Sequence, residues 1–220
     1  MSGDRLREVG HNKVERHRAA HLGPERRRPL VLDAAFELFL ERGYEGTSME
    51  AIADALGVTK PVVYACYPSK DELFKALLRR EEERVLGEIA AALPADAPSE
   101  DPEPILIDGL TAFLHAVAAS PDAWRIIFMG EGANAAIARR IQRGRAAQVE
   151  AVAALARGWL EGRKPHDDVE LESAARLLGF VIVGLAESGA RALLNDPETW
   201  TPESLGRLLG KMAAQGRGVL

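Results

Sequence analysis

The sequence predicts an all-α protein in two parts, a small domain of short helices followed by a larger helical domain. Three observations carry this. Apolar residues recur at three- and four-residue spacing through most of the chain beyond residue 30. Ala and Leu dominate the longer segments, and the alternation that marks a strand is absent. Pro121, Gly130, Pro165 and Pro197 punctuate the periodic stretches. With 220 residues, 47% of them hydrophobic, the chain can build a core in each part. About nine helices are expected. The expected division is a flexible basic arm over 1–23, a first domain over 24–80 and a second over 81–220.

Charge divides the same way. The chain carries a net −5, yet residues 1–80 hold 14 Lys/Arg against 12 Asp/Glu, and residues 81–220 hold 14 against 21. The first part is therefore +2 and the second −7, which puts any polyanionic partner at the N-terminal end. No run of about 18 apolar residues is read, so no membrane span is expected. No apolar core follows the basic N-terminus, as a secretory leader would need. A soluble, cytoplasmic protein follows. Cys66 is the only cysteine, which excludes an intrachain disulfide and a Cys-rich zinc module. There is no metal-ligand spacing, Gly-rich phosphate loop or nucleophile motif. Neither a catalytic site, a metal nor a cofactor is expected.

Residues 1–23 hold five Arg/Lys and three His without apolar periodicity. They read as a flexible arm that could reach phosphates or a minor groove, helped by Arg26, Arg27 and Arg28. The first helix is expected from about residue 28, because Pro29 suits a first turn. Its apolar face is Leu32, Ala35, Phe36, Phe39 and Leu40, and Gly43 ends it. Thr47-Ser48-Met49-Glu50 reads as a capping box with the Thr47 hydroxyl at the N-cap. It opens a helix through Ile52, Ala55 and Leu56 that stops at Gly57. A third helix starts at Thr59, tolerates Pro61 in its first turn, and runs through Val62, Val63 and Tyr64. Pro68 breaks the chain. Ser69-Lys70-Asp71-Glu72 is a second capping box and opens a long helix through Leu73, Phe74, Leu77, Leu78, Val85 and Ile89. Residues 94–104, with four prolines, read as a loop. Helices are expected near 104–119, 122–129, 134–162, 167–193 and 203–214.

The informative stretch is 47–70. Two short helices joined at a glycine form the helix-turn-helix pattern. Gly57 supplies a residue comfortable at positive φ. Ala53 is small enough to let the helices cross closely, with Val58 and Val63 beneath. The second helix of such a unit enters the major groove, N-terminus first. Lys60 can donate to guanine or to phosphate. Thr59 can reach a phosphate or a thymine methyl, and Pro61 offers apolar surface to such a methyl. Tyr64 and Tyr67 place phenols near the DNA backbone. Thr47, Ser48 and Lys70 stand at helix starts, where N–H groups favour phosphate.

Here the chain resembles the tetracycline-repressor (TetR) family of bacterial regulators, from about Val31 to Leu78. The resemblance rests on Val31-Leu32-Asp33-Ala34-Ala35, Glu41-Arg42-Gly43-Tyr44, Leu56-Gly57-Val58-Thr59-Lys60 and Tyr67-Pro68-Ser69-Lys70-Asp71-Glu72-Leu73-Phe74. It departs at Pro61, where the family often has glycine, and at Cys66, where it often has histidine. The resemblance implies an all-helical homodimer with a helix-turn-helix head and a variable ligand domain. Its partners would be double-stranded operator DNA and a small-molecule effector. Such a dimer places recognition helices in successive major grooves, about 34–36 Å apart, on a palindromic operator. The preferred reading is a repressor released by its effector, with the long helix from Ser69 carrying the movement. An activator, a co-repressor-dependent regulator, or a helical interaction module without DNA binding are the alternatives.

The larger domain is less specific. Leu171, Leu178, Ile182 and Leu185 of the penultimate helix, with Leu205, Leu208 and Met212 of the last, could form half of a four-helix bundle across a two-fold axis. A pocket needs aromatics and a few polar anchors. Candidates are Phe113, His115, Trp124, Phe128, Met129, Trp159, Phe180 and Glu187. Glu187 follows a long apolar run and needs a partner: a ligand cation, an arginine across the dimer, or water.

Overall fold

The computed structural model describes residues 23–92, 101–161 and 170–216. These form nine α-helices and one 3-10 turn, with no strand among the described residues. The helices are α1 (Pro24–Gly46), α2 (Met49–Leu56), α3 (Lys60–Cys66), α4 (Lys70–Ala92), α5 (Pro102–Ala119), α6 (Pro121–Met129), α7 (Ala135–Leu160), α8 (Leu171–Asn195) and α9 (Pro202–Gly216). Most of the expected arm, most of the proline-rich loop and Pro165 lie outside the described residues. The chain forms two compact units. One runs to Glu82 and includes Arg125–Ile137; the other comprises Glu83–Trp124 and Ala138–Leu220.

Helix α1 starts four residues earlier than Pro29 suggests. Pro24 occupies the first turn, and Pro29 lies inside the helix. There it removes only the bond to the Glu25 carbonyl, which belongs to an exposed first turn and can bond water instead. Helical geometry breaks at Gly43, at φ 70° and ψ 175°, a region essentially reserved for glycine. The N-cap of α2 is Ser48, not Thr47. The Ser48 Oγ accepts from the Ala51 N–H at 3.1 Å. Thr47 is drawn inward instead: its hydroxyl lies 2.8 Å from the Gly43 carbonyl and 3.0 Å from that of Leu38, and the residue is 2% exposed. Gly57 closes α2 in the left-handed conformation, φ 66° and ψ 33°. Ser69 caps α4, its Oγ accepting from the Glu72 N–H at 3.1 Å.

The first unit is built on large side chains. Phe39, Tyr44 and Phe74 form a ring cluster with centroids 4.7–5.9 Å apart. Ile52, Val63, Leu73, Leu77 and Leu78 are fully buried. Arg80 ties α1 to α4 through Asp33 at 2.6 Å and also pairs with Glu81.

The second unit is built on small ones. Helices α5 and α9 approach so closely that a Cβ on Gly206 would lie 2.7 Å from the Thr111 Cα. One on Gly210 would lie 2.7 Å from both the Cα and the N of Ile107. Gly179 of α8 plays the same part against the Val149 carbonyl of α7. Thr201 and Ser204 cap α9 reciprocally, each side chain accepting the other's backbone N–H at 3.2 and 3.0 Å. Helix α8 departs from expectation. Its best window has a mean hydropathy of 1.7, long and apolar enough by composition to cross a membrane. Its Ala174, Ala175, Leu178, Gly179, Val183, Gly189, Ala190 and Leu193 are buried, whereas Leu177, Phe180 and Val181 are exposed.

Candidate nucleic-acid interface

Helix α3 has two faces of opposite character. Val63 and Cys66 are buried; Thr59, Lys60, Pro61, Tyr64 and Ala65 are exposed. The turn at Gly57 and the small Ala53 (2% exposed) allow α3 to lie against α2 with that division. Thr59 occupies the N-cap position, but its side chain makes no cap hydrogen bond. The cause is local. Pro61 at N2 has no N–H, and the Val62 N–H is taken by the Thr59 carbonyl at 2.9 Å. The Thr59 hydroxyl is thus left facing outward at the head of the helix. The Lys60 ammonium, also exposed, lies 3.8 Å from the Glu50 carboxylate, a solvated pair of little energetic weight. Tyr64 is 42% exposed.

The remaining residues of the expected interface are placed differently. Ser48 is exposed at the start of α2; its oxygen caps the helix while its proton remains available to a phosphate. Thr47 has its hydroxyl committed to backbone carbonyls inside the unit. Tyr67 is buried, and burial pushes its phenol pKa up against the opposing pull of Arg28. Lys70 is half-buried, donating to the Tyr44 carbonyl at 2.8 Å. So Thr47 and Tyr67 serve as internal supports by their geometry, whereas Ser48, Thr59, Lys60, Pro61 and Tyr64 form the outer surface. Of the arginines read as helpers of the arm, Arg27 is buried and the Arg28 Nε donates to the Cys66 carbonyl at 3.3 Å; Arg26 is exposed.

Residues 31–77 match the profile of the bacterial regulatory proteins, tetR family. A TetR-like transcriptional regulator from Rhodococcus sp. RHA1 superimposes with a TM-score of 0.66 at 28% identity, over 87% of this chain and 96% of that one. Residues 31–77 thus carry a tetR-family helix-turn-helix domain. Two relatives extend the comparison. The HTH-type transcriptional activator FasR of Mycolicibacterium smegmatis is 34% identical over 111 residues, half of this chain and 49% of that protein. The HTH-type transcriptional repressor ComR of Escherichia coli is 38% identical over 66 residues, 30% of this chain and 31% of that one. The matches to these relatives thus span half their length or less. The chain is thus similar to helix-turn-helix transcriptional regulators, through its head and through the fold it shares with the RHA1 protein.

The candidate pocket residues are distributed over both units. Phe113 and Trp124 meet edge to face at 5.1 Å. Trp159 packs against Leu160, Ala174, Ala175 and Leu178. Phe128 and Met129 fall in the first unit. His115 is exposed rather than part of the core, and lies 3.1 Å from Glu203. Glu187 has a partner outside the three that the sequence suggests: Arg145 of the same chain, at 2.9 Å. Phe180 is 48% exposed, with Arg176 over its ring at 5.8 Å.

The expected dimer residues divide too. Leu178 and Leu205 are buried within the unit, and Leu171, Ile182 and Leu185 are half-buried. Leu208 and Met212 are exposed, and the α8 residues exposed alongside them are Leu177, Phe180 and Val181.

Proposed function

We propose that this regulator acts as a cytoplasmic homodimer on a palindromic operator, most simply as a repressor released by a small-molecule effector. The reading is supported above all by α3. Its apolar face is anchored while the Thr59 hydroxyl, Lys60 and Tyr64 point outward, the composition expected of a helix that reads a major groove. The +2 balance of the first 80 residues and the −7 of the rest favour the same orientation on a polyanion.

Dimerisation is supported by the open apolar strip of α8 and α9. Leu177, Phe180, Val181, Leu208 and Met212 are each 42–52% exposed, and a second copy would bury them about a two-fold axis. Binding to DNA by such a dimer needs no cofactor and no catalysis. An effector would occupy the domain after residue 80 and must prefer one dimer geometry to alter operator affinity. Relatives named as activator and as repressor are both similar to this chain, so that similarity does not by itself set the sign of regulation.

Selection of bound duplexes from a random pool, at moderate salt, tests this. The wild-type chain should enrich a palindrome, and the Lys60→Ala/Tyr64→Ala variant should lose it while remaining folded. Enrichment of nothing by a folded dimer would favour the interaction-module reading or a required co-repressor.

A further inference from the structure

A polar cluster away from α3 joins three separate stretches of the first unit. Asn134 is the N-cap of α7: its Oδ1 accepts from the Ala136 and Ile137 N–H groups, both at 3.0 Å. Those two backbone donors fix which end of the amide is which. The Nδ2 therefore donates to the Asp71 Oδ2 at 3.0 Å and to the Tyr44 hydroxyl at 3.2 Å. The Tyr44 hydroxyl donates in turn to the Asp71 Oδ1. Both ends of the Asn134 amide are engaged, and both Asp71 oxygens are used. Tyr44 is 7% exposed; burial, reinforced by Asp71, holds its phenol protonated and so a donor. The cluster extends to Lys70, whose ammonium donates to the Tyr44 carbonyl at 2.8 Å and lies 4.3 Å from the Tyr44 ring centre.

We propose that Asn134 is a positioning residue for DNA binding: through Asp71 and Tyr44 it sets where Lys70 presents its ammonium to the DNA backbone. The inference rests on the reading of Lys70 as a phosphate contact. It makes the start of α7 part of the DNA-binding apparatus. It also gives an effector response a physical handle, since withdrawal of that helix start breaks the bonds to Asp71 and Tyr44 together. Nothing in the helix-turn-helix motif points to Asn134; its only sequence signal is an asparagine before the Ala135-Ala136-Ile137 helix start.

Asn134→Asp isolates the role. A carboxylate caps a helix as well as an amide does, so α7 keeps its N-cap. It has no N–H for Asp71 or Tyr44 and sets a like charge beside Asp71. The probe is a duplex selected from a random pool by the wild-type chain. The dissociation constant should rise about 10-fold, and amides of the first turn of α4 should exchange faster while those of α2 and α3 do not change. Because Asn134 acts through Lys70, adding Asn134→Asp to Lys70→Ala should weaken binding no further than Lys70→Ala alone. Additive losses overturn the inference, as does wild-type affinity in Asn134→Asp. A wild-type chain that selects no duplex overturns the DNA reading and this inference with it. Selection by the wild type with unchanged binding by Asn134→Asp overturns this inference alone.

Discussion

The two compact units solve the packing problem in opposite ways. The first fills its centre with rings: Phe39, Tyr44 and Phe74 touch one another, and Phe39 and Phe74 are fully buried. The second brings helices together by removing side chains, at Gly206 and Gly210 against α5 and at Gly179 against α7. A ring cluster admits few substitutes, because each ring is positioned by the others and its loss leaves a large void. A small-residue contact constrains only the glycine itself and leaves the surrounding helix surface nearly unrestricted. The first arrangement holds α3 at one angle; the second leaves sequence latitude on the surrounding helix surfaces.

The aromatic residues provide a way to test the contrast. Tyr44, Tyr64 and Tyr67, the three tyrosines of the chain, lie in the first unit; Trp124, Trp159 and Trp200, its three tryptophans, lie in the second. Tyrosine absorbance and tryptophan fluorescence therefore report on different units in one unfolding experiment. Phe74→Ala carries the largest expected effect, a loss of about 3–5 kcal/mol, since it deletes a fully buried ring with two ring neighbours. Its urea midpoint should fall first by the tyrosine signal. Coincident shifts in both signals would mean that the units unfold as one, and the contrast would then describe packing but not cooperativity.

Gly210→Ala comes next. The added methyl would meet the Ile107 backbone, which cannot rotate aside as a side-chain tip would, so α5 and α9 must separate. Overpacking of this kind costs about 1–3 kcal/mol. The loss should appear in the tryptophan-reported transition while the affinity of α3 for its duplex is retained. A variant as stable as the parent would show that the α5–α9 contact is looser than its geometry implies.

The same contrast explains what can be read from the chain. The first unit is legible because its turns require particular residues. Gly57 is left-handed, Gly43 takes a glycine-only conformation, and Ser69 caps α4 as its spacing indicates. The capping pattern misplaces the N-cap of α2 by one residue because Thr47 and Ser48 both offer a hydroxyl, and only the inward pull of the Gly43 and Leu38 carbonyls decides between them. The pattern also starts α1 late, because Pro29 suits the first-turn position that Pro24 fills. In the second unit, helix positions are legible but faces are not. Helix α8 carries Glu172, Arg176, Glu187 and Arg191 on one side, yet Leu177 and Phe180 stand beside them and are exposed, which the apolar pattern alone does not explain. Long-range partners, such as Arg145 for Glu187 or Asp71 for Asn134, leave no mark in spacing at all.

The smallest expected effect has the opposite sign. Gly144 lies within α7, and a Cβ added there would have nothing within 4 Å, unlike one on Gly206 or Gly210. Its alanine variant should gain up to about 1 kcal/mol, because an exposed helix-interior glycine costs backbone entropy without serving any contact. The gain should appear in the tryptophan signal as a higher urea midpoint. Set beside Gly210→Ala, the pair subjects one substitution to two environments on the same unit. If both variants lose stability, Gly144 is itself at a close approach, and the face of α7 that carries it is covered in the assembled protein. If both are neutral, small residues in this domain reflect composition rather than helix spacing, and the distinction between a ring-built head and a glycine-spaced body fails at its second half.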